Sequence, residues 1–199
     1  MSTGIRIREL FNDPVLIPSN MLSILRTVLA PVMVWLMMME NRTGDELYLY
    51  LTVACFIMII ISDFLDGFLA RLLNQVTRLG QFLDPLADKV IILSLSVGLA
   101  LFKGFPVWFA IFLWVREISI FAAGFMLFSR RNVEVKPNFF GKLSVVTASV
   151  TALVFICEYD GIFFGLAVKD IMVYLMLLFY ILAAIQYVRT YFHDKPAEN

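Results

Sequence analysis

Charge is scarce in this 199-residue chain. Asp, Glu, Lys and Arg together supply 16% of it, against about 25% in an ordinary globular domain. Apolar residues reach 61%, so too few polar side chains remain to cover a water-exposed surface. Net charge is absent as well, because sixteen basic and sixteen acidic residues cancel. No cationic excess is left to bind a polyanion, and nucleic acid is excluded as a partner. Cysteine is nearly absent: Cys55 and Cys157 lie inside apolar runs, where a thiol acts as a small hydrophobe rather than a disulfide partner. The single histidine, His193, has no second imidazole with which to build a zinc site. Internal repeats and low-complexity tracts are missing too. The composition predicts an integral, multi-pass membrane protein.

A spanning helix needs roughly 20 mainly apolar residues. Six segments qualify: 21–39, 47–62, 86–102, 106–128, 139–156 and 164–188. The expected fold is all-α, one membrane domain over 1–199, with a juxtamembrane segment at 1–18 and a six-helix bundle over 19–192. The first span is not a signal peptide, since its apolar core is long and no small-residue cleavage site follows. With the N-terminus inside, nine basic residues (Arg6, Arg8, Arg71, Arg78, Arg130, Arg131, Lys136, Arg189 and Lys195) fall on the cytoplasmic side. Only Arg42, Lys103 and Lys169 fall outside. That asymmetry predicts both termini in the cytoplasm. Ile5, Ile7, Leu10 and Phe11 alternate with Arg6, Arg8 and Glu9, as in a short interfacial helix or a frayed tail. Pro18, Ser19 and Asn20 supply a stop and an N-cap for the first membrane helix. Trp35, Tyr48, Tyr50, Trp108 and Tyr191 lie near span ends, as an aromatic belt requires. Gly161 and Gly165 form a GxxxG step, which predicts helix packing at the start of the sixth span.

Between the second and third spans the chain turns acidic. On a helix, Asp63, Asp66, Gly67, Ala70 and Arg71 share one face, and Gly80, Asp84 and Asp88 share another. Two helices joined by a short polar turn therefore aim four carboxylates at a common point. Each costs about 2.5–3.5 kcal/mol near mid-bilayer and less towards the interface. Four together repel, so a cation belongs among them. Arg71 and Lys89 can neutralise two, but an all-oxygen cluster suits a hard divalent ion such as Mg²⁺ or Mn²⁺. Gly67 and Ala70 clear space on the same face for a ligand. A solvated loop would not produce single-face spacing on two successive helices.

These residues, in the pattern D-x2-D-G-x2-A-R-x8-G-x3-D-x3-D, resemble the signature of the CDP-alcohol phosphotransferases at every fixed position. The resemblance covers most of the chain, since that family too has six helices with the motif on helices two and three. It implies an integral membrane homodimer that moves a phosphatidyl group from CDP-diacylglycerol to an alcohol and releases CMP. It further implies an active site facing the cytoplasm, in a bacterial inner membrane. By the same resemblance, Asp63, Asp66, Asp84 and Asp88 hold two divalent ions. Gly67, Ala70 and Gly80 make room for the donor nucleotide, Arg71 contacts its diphosphate, and Asp88 also serves as general base. Such a displacement at phosphorus is mainly positioning and charge stabilisation.

Three more cations sit on later spans: Arg116, Lys142 and Arg189. An ionisable residue inside a span is a functional candidate by default. Pairing of Arg116 with Glu117 is disfavoured, because adjacent helical residues do not face each other. Snorkelling to the inner interface is an alternative for Arg189. The three resemble the family's pocket for a phosphorylated acceptor. The stretch 77–89 and the opening 17–26 resemble phosphatidylglycerolphosphate synthases, and also single-chain cardiolipin synthases of this fold. The resemblance thus implies glycerol 3-phosphate as acceptor, with phosphatidylglycerol or inositol phosphate as alternatives. One departure bears on that choice. In the fifth-helix pattern G-K-x-x-T-x-x-Q, Gly141 and Lys142 match, but Val145 and Ala148 replace Thr and Gln. A cation transporter would show inverted repeats and broken helices, and neither is visible. A membrane scaffold would have no use for four aspartates.

Overall fold

The computed structural model describes residues 18–72, 78–128 and 139–193, with side chains described over 21–65, 86–120, 139–186 and at Arg189. Among the described residues six helices follow one another: α1 (Pro18–Thr43), α2 (Glu46–Leu72), α3 (Arg78–Phe102), α4 (Val107–Phe128), α5 (Phe139–Ile156) and α6 (Val168–His193). A two-stranded hairpin, β1 (Ile162–Phe163) and β2 (Leu166–Ala167), precedes α6. Among the described residues four stretches are long and apolar enough to cross a membrane: Met21–Thr43, Glu46–Leu65, Phe139–Ile156 and Val168–Gln186. The protein is a mostly helical membrane protein. The expected interfacial segment at 1–17 lies outside the described residues, as do Arg130, Arg131, Lys136 and Lys195. The chain divides into two compact units, Met1–Phe105 and Pro106–Asn199.

In the first unit, α1 packs against both α2 and α3. It runs from Pro18, with Ser19 and Asn20 within the helix. Proline at the first helical position loses nothing, because that N–H has no intrahelical partner anyway, and the expected cap at Ser19 and Asn20 concerns side chains outside the described residues. The α1–α2 turn follows from Thr43-Gly44-Asp45. Gly44 takes a left-handed φ of 68° and donates its N–H to Glu40 O at 2.8 Å. Asp45 then caps α2, its Oδ1 accepting from Leu47 N at 2.9 Å. Ala30, Met33, Met37, Phe56, Ile59 and Leu99 form the buried core. Gly98 lets α3 approach α1 closely, since a Cβ there would meet Met37 Sδ at 2.9 Å. Buried hydroxyls are satisfied locally: Thr52 donates to Tyr48 O at 2.7 Å and Ser62 to Ile59 O at 2.9 Å. At the far end Lys103, almost fully buried, pairs with Glu40 at 2.5 Å. Trp35 and Tyr48 meet edge to face beside that end, with ring centroids 6.5 Å apart, as an aromatic belt places them.

In the second unit, α5 packs against α6. Ser144, Thr147, Thr151 and Phe155 form the buried stripe of α5, and Val173, Met176, Tyr180 and Ala183 that of α6. Thr151 donates to Thr147 O at 2.7 Å and to Met172 O at 3.3 Å across the interface.

The GxxxG step does not pack helices. Gly161 and Gly165 flank β1 of the hairpin, which pairs Ile162 with Ala167 and Phe163 with Leu166. The two-residue turn is Phe164-Gly165, with φ values of 51° and 79°. Both are left-handed, as a tight hairpin turn demands. The sixth helix consequently begins at Val168 rather than at 164. Lys169 closes the hairpin base on Asp160 at 2.6 Å.

Candidate active site

Both motif-bearing segments are helical. Asp63, Asp66, Gly67, Ala70 and Arg71 lie on α2, and Gly80, Asp84 and Asp88 on α3, so each run keeps the single-face spacing expected of it. The linking residues 73–77, and the side chains of Asp66, Gly67, Ala70, Arg71, Gly80 and Asp84, lie outside the described residues. The side chains of Asp63 and Asp88 are described, and they converge. Each presents its Oδ1 to the same nitrogen, Nη1 of Arg26: Asp63 in direct contact and Asp88 at 3.5 Å. Three helices thereby each contribute one charge to one point. The guanidinium side chain is 1% exposed, while the carboxylates are 60% and 52% exposed. The cation is interior and the acids line its open side.

Arg26 has no assigned role in the sequence expectations above, which look to Arg71 and Lys89 for neutralisation. A signal for it exists. An arginine inside an apolar first span is costly unless it serves a purpose, and Arg26 is the one charged residue of the segment 21–39.

Among the described residues no three metal-binding side chains come together, since two of the four aspartates fall outside them. What is described suits a hard cation. Two carboxylates from different helices, close enough to share one nitrogen, form the kind of oxygen donor set that Mg²⁺ and Mn²⁺ prefer.

The basic residues of the second unit are arranged otherwise. Arg116 on α4 lies with its guanidinium carbon 4.0 Å from the centre of the Tyr180 ring on α6. It also contacts Glu117, which is 4% exposed. The expectation that neighbouring residues do not pair is thus corrected. Their Cα–Cβ bonds diverge by about 100°, but the arginine arm is long enough to reach back, and the Tyr180 face fixes it there. Lys142 on α5 and Arg189 on α6 are exposed, and neither pairs with a described residue. Val145, 63% exposed, lies one turn along from Lys142 on the same face of α5.

The described residues thus bring one carboxylate from each of two successive helices, α2 and α3, to a single arginine of a third, α1. The chain belongs to the CDP-alcohol phosphatidyltransferase family, whose model matches residues 16–188. It is 35% identical over 137 residues to a CDP-diacylglycerol–glycerol-3-phosphate 3-phosphatidyltransferase of Aquifex aeolicus, covering 67% of this chain and 72% of that protein. A protein of the same name from Bacillus subtilis is 32% identical over 142 residues, covering 67% of this chain and 70% of its own. A cardiolipin synthase (CMP-forming) of Streptomyces coelicolor is 35% identical over 132 residues, covering 65% of this chain but 60% of that longer protein.

Proposed function

We propose that the protein transfers the phosphatidyl group of CDP-diacylglycerol to glycerol 3-phosphate, forming phosphatidylglycerol phosphate and CMP. The observation that carries this is the convergence of Asp63 and Asp88, motif residues of α2 and α3, on one buried cation. The acceptor rests on the relatives from Aquifex and Bacillus. In the reaction an acceptor hydroxyl oxygen attacks the phosphorus that carries diacylglycerol. The bond from that phosphorus to the CMP oxygen breaks, and CMP departs with the electron pair. Asp88 takes the hydroxyl proton. Arg71 holds the donor diphosphate through its planar fork, while Gly67, Ala70 and Gly80 leave room for the nucleotide. Asp63, Asp66, Asp84 and Asp88 would hold two divalent ions, Mg²⁺ or Mn²⁺, which when bound neutralise the diphosphate and acidify the attacking hydroxyl. Arg116, Lys142 and Arg189 would receive the acceptor's phosphomonoester, which carries nearly two negative charges at pH 7. The proposal includes six spans, both termini and the active site on the cytoplasmic side, and a homodimer.

A second acceptor reading is favoured by Val145 and Ala148. Where the family's glycerol-phosphate pattern has Thr and Gln, this face of α5 is apolar beside Lys142. An apolar face suits a lipid acceptor such as phosphatidylglycerol, and a cardiolipin synthase is among the relatives. Purified protein with CDP-diacylglycerol and Mn²⁺ or Mg²⁺, offered glycerol 3-phosphate, phosphatidylglycerol and inositol phosphate in parallel, separates the readings. CMP release with phosphatidylglycerol phosphate as the lipid product supports the first, and cardiolipin the second. No CMP with any acceptor overturns both.

A further inference from the structure

We infer that Arg26 is the resident counter-ion of the acidic site: it holds Asp63 and Asp88 together in the metal-free protein and yields them when a divalent ion binds. This rests on the metal-site reading above and goes beyond it by giving a role to a residue outside the motif. Three observations support it. Arg26 is anchored, with its side chain 1% exposed between the two helices that α1 packs against. It meets both carboxylates with a single nitrogen, so it offsets the repulsion between two like charges brought together from α2 and α3. And the carboxylates are more than half exposed, so an incoming ion has access to them on the side away from the arginine.

The consequence is competition. A divalent ion and a guanidinium cannot both draw fully on the same Oδ1 atoms, and two positive centres a few ångströms apart repel. Metal binding is therefore an exchange of cations rather than the filling of a repulsive acidic cage. Arg26 then offsets part of the repulsion before metal arrives, and part of the metal's binding energy is spent on releasing it. Removing the guanidinium should weaken the metal-free protein and tighten its grip on metal.

The test is Mn²⁺ binding to the full-length protein in detergent, followed by the loss of the free-ion paramagnetic resonance signal. Thermal unfolding is measured with and without Mn²⁺. In Arg26→Gln the unfolding temperature without metal falls, and the dissociation constant for Mn²⁺ drops at least about 10-fold, the equivalent of one charge-assisted contact no longer displaced. Arg26→Lys keeps the charge but loses the planar fork. It should move both readouts in the same direction by less, and it decides the matter if Arg26→Gln does not fold. Mn²⁺ binding unchanged or weaker in the folded variants would overturn the role of Arg26 and leave the metal site standing. Failure of the wild-type protein to bind Mn²⁺ at all would overturn the metal site, and this inference with it.

Discussion

The two units of the chain treat their charges in opposite ways. In the first, Arg26, Asp63 and Asp88 come from three helices and satisfy one another within the fold, and Glu40 and Lys103 do the same at the other end. In the second, among the described residues, Arg116 is held by its neighbour Glu117 and the Tyr180 ring, and Lys169 pairs with Asp160 at the hairpin, away from the proposed acceptor cations. Lys142 and Arg189 are exposed without an ion-pair partner among the described residues. An acidic site with part of its charge already offset suits a reaction centre that must stay intact between turnovers. Uncommitted cations suit recognition of an anionic substrate that comes and goes. The proposed division of labour follows: donor and chemistry in the first unit, acceptor phosphate in the second.

The largest expected effect breaks the first half of that comparison. Chelating divalent ions, or Asp84→Asn, should take CMP release below detection, because too few ligands remain to hold the diphosphate's counter-charge. Full activity in excess EDTA would remove the chemistry from these helices. Next in size is Asp88→Asn. It should lower kcat about 10²–10⁴-fold, the usual worth of a general base, while binding of CDP-diacylglycerol with Mn²⁺ changes little. An equally large loss of donor affinity would make Asp88 a ligand first. In the second unit, Arg116→Ala and Lys142→Ala should raise KM for glycerol 3-phosphate about 10- to 150-fold, at 1.5–3 kcal/mol per charge-assisted contact. Smallest is Gly165→Ala. Forcing a side chain to φ 79° should cost about 1–2 kcal/mol in a thermal unfolding assay and leave both KM values unchanged, since the hairpin takes no part in either role.

Most of the fold was legible because apolar run length and charge placement are strong signals in a membrane chain. The 139–156 segment coincides with α5, and the acidic motif sits on helices at its predicted spacing. What escaped has physical causes. Gly161 and Gly165 signal close packing only on a helix, and the intervening Ile-Phe-Phe with a left-handed 164–165 pair makes a hairpin instead. The Arg116–Glu117 contact depends on side-chain reach, which positional periodicity does not encode. Arg26 was hidden by its surroundings: a lone charge in a long apolar segment was absorbed into the span, and its partners lie 37 and 62 residues away.

The division between the two units is tested most directly by measuring KM for glycerol 3-phosphate and for CDP-diacylglycerol side by side in Lys142→Ala. This variant is cleaner than Arg116→Ala, which also takes a guanidinium from buried Glu117. The acceptor value should rise about 10-fold or more while the donor value stays at that of the wild type. Equal rises in both, or no rise in either, would contradict the separation of acceptor recognition from the acidic site.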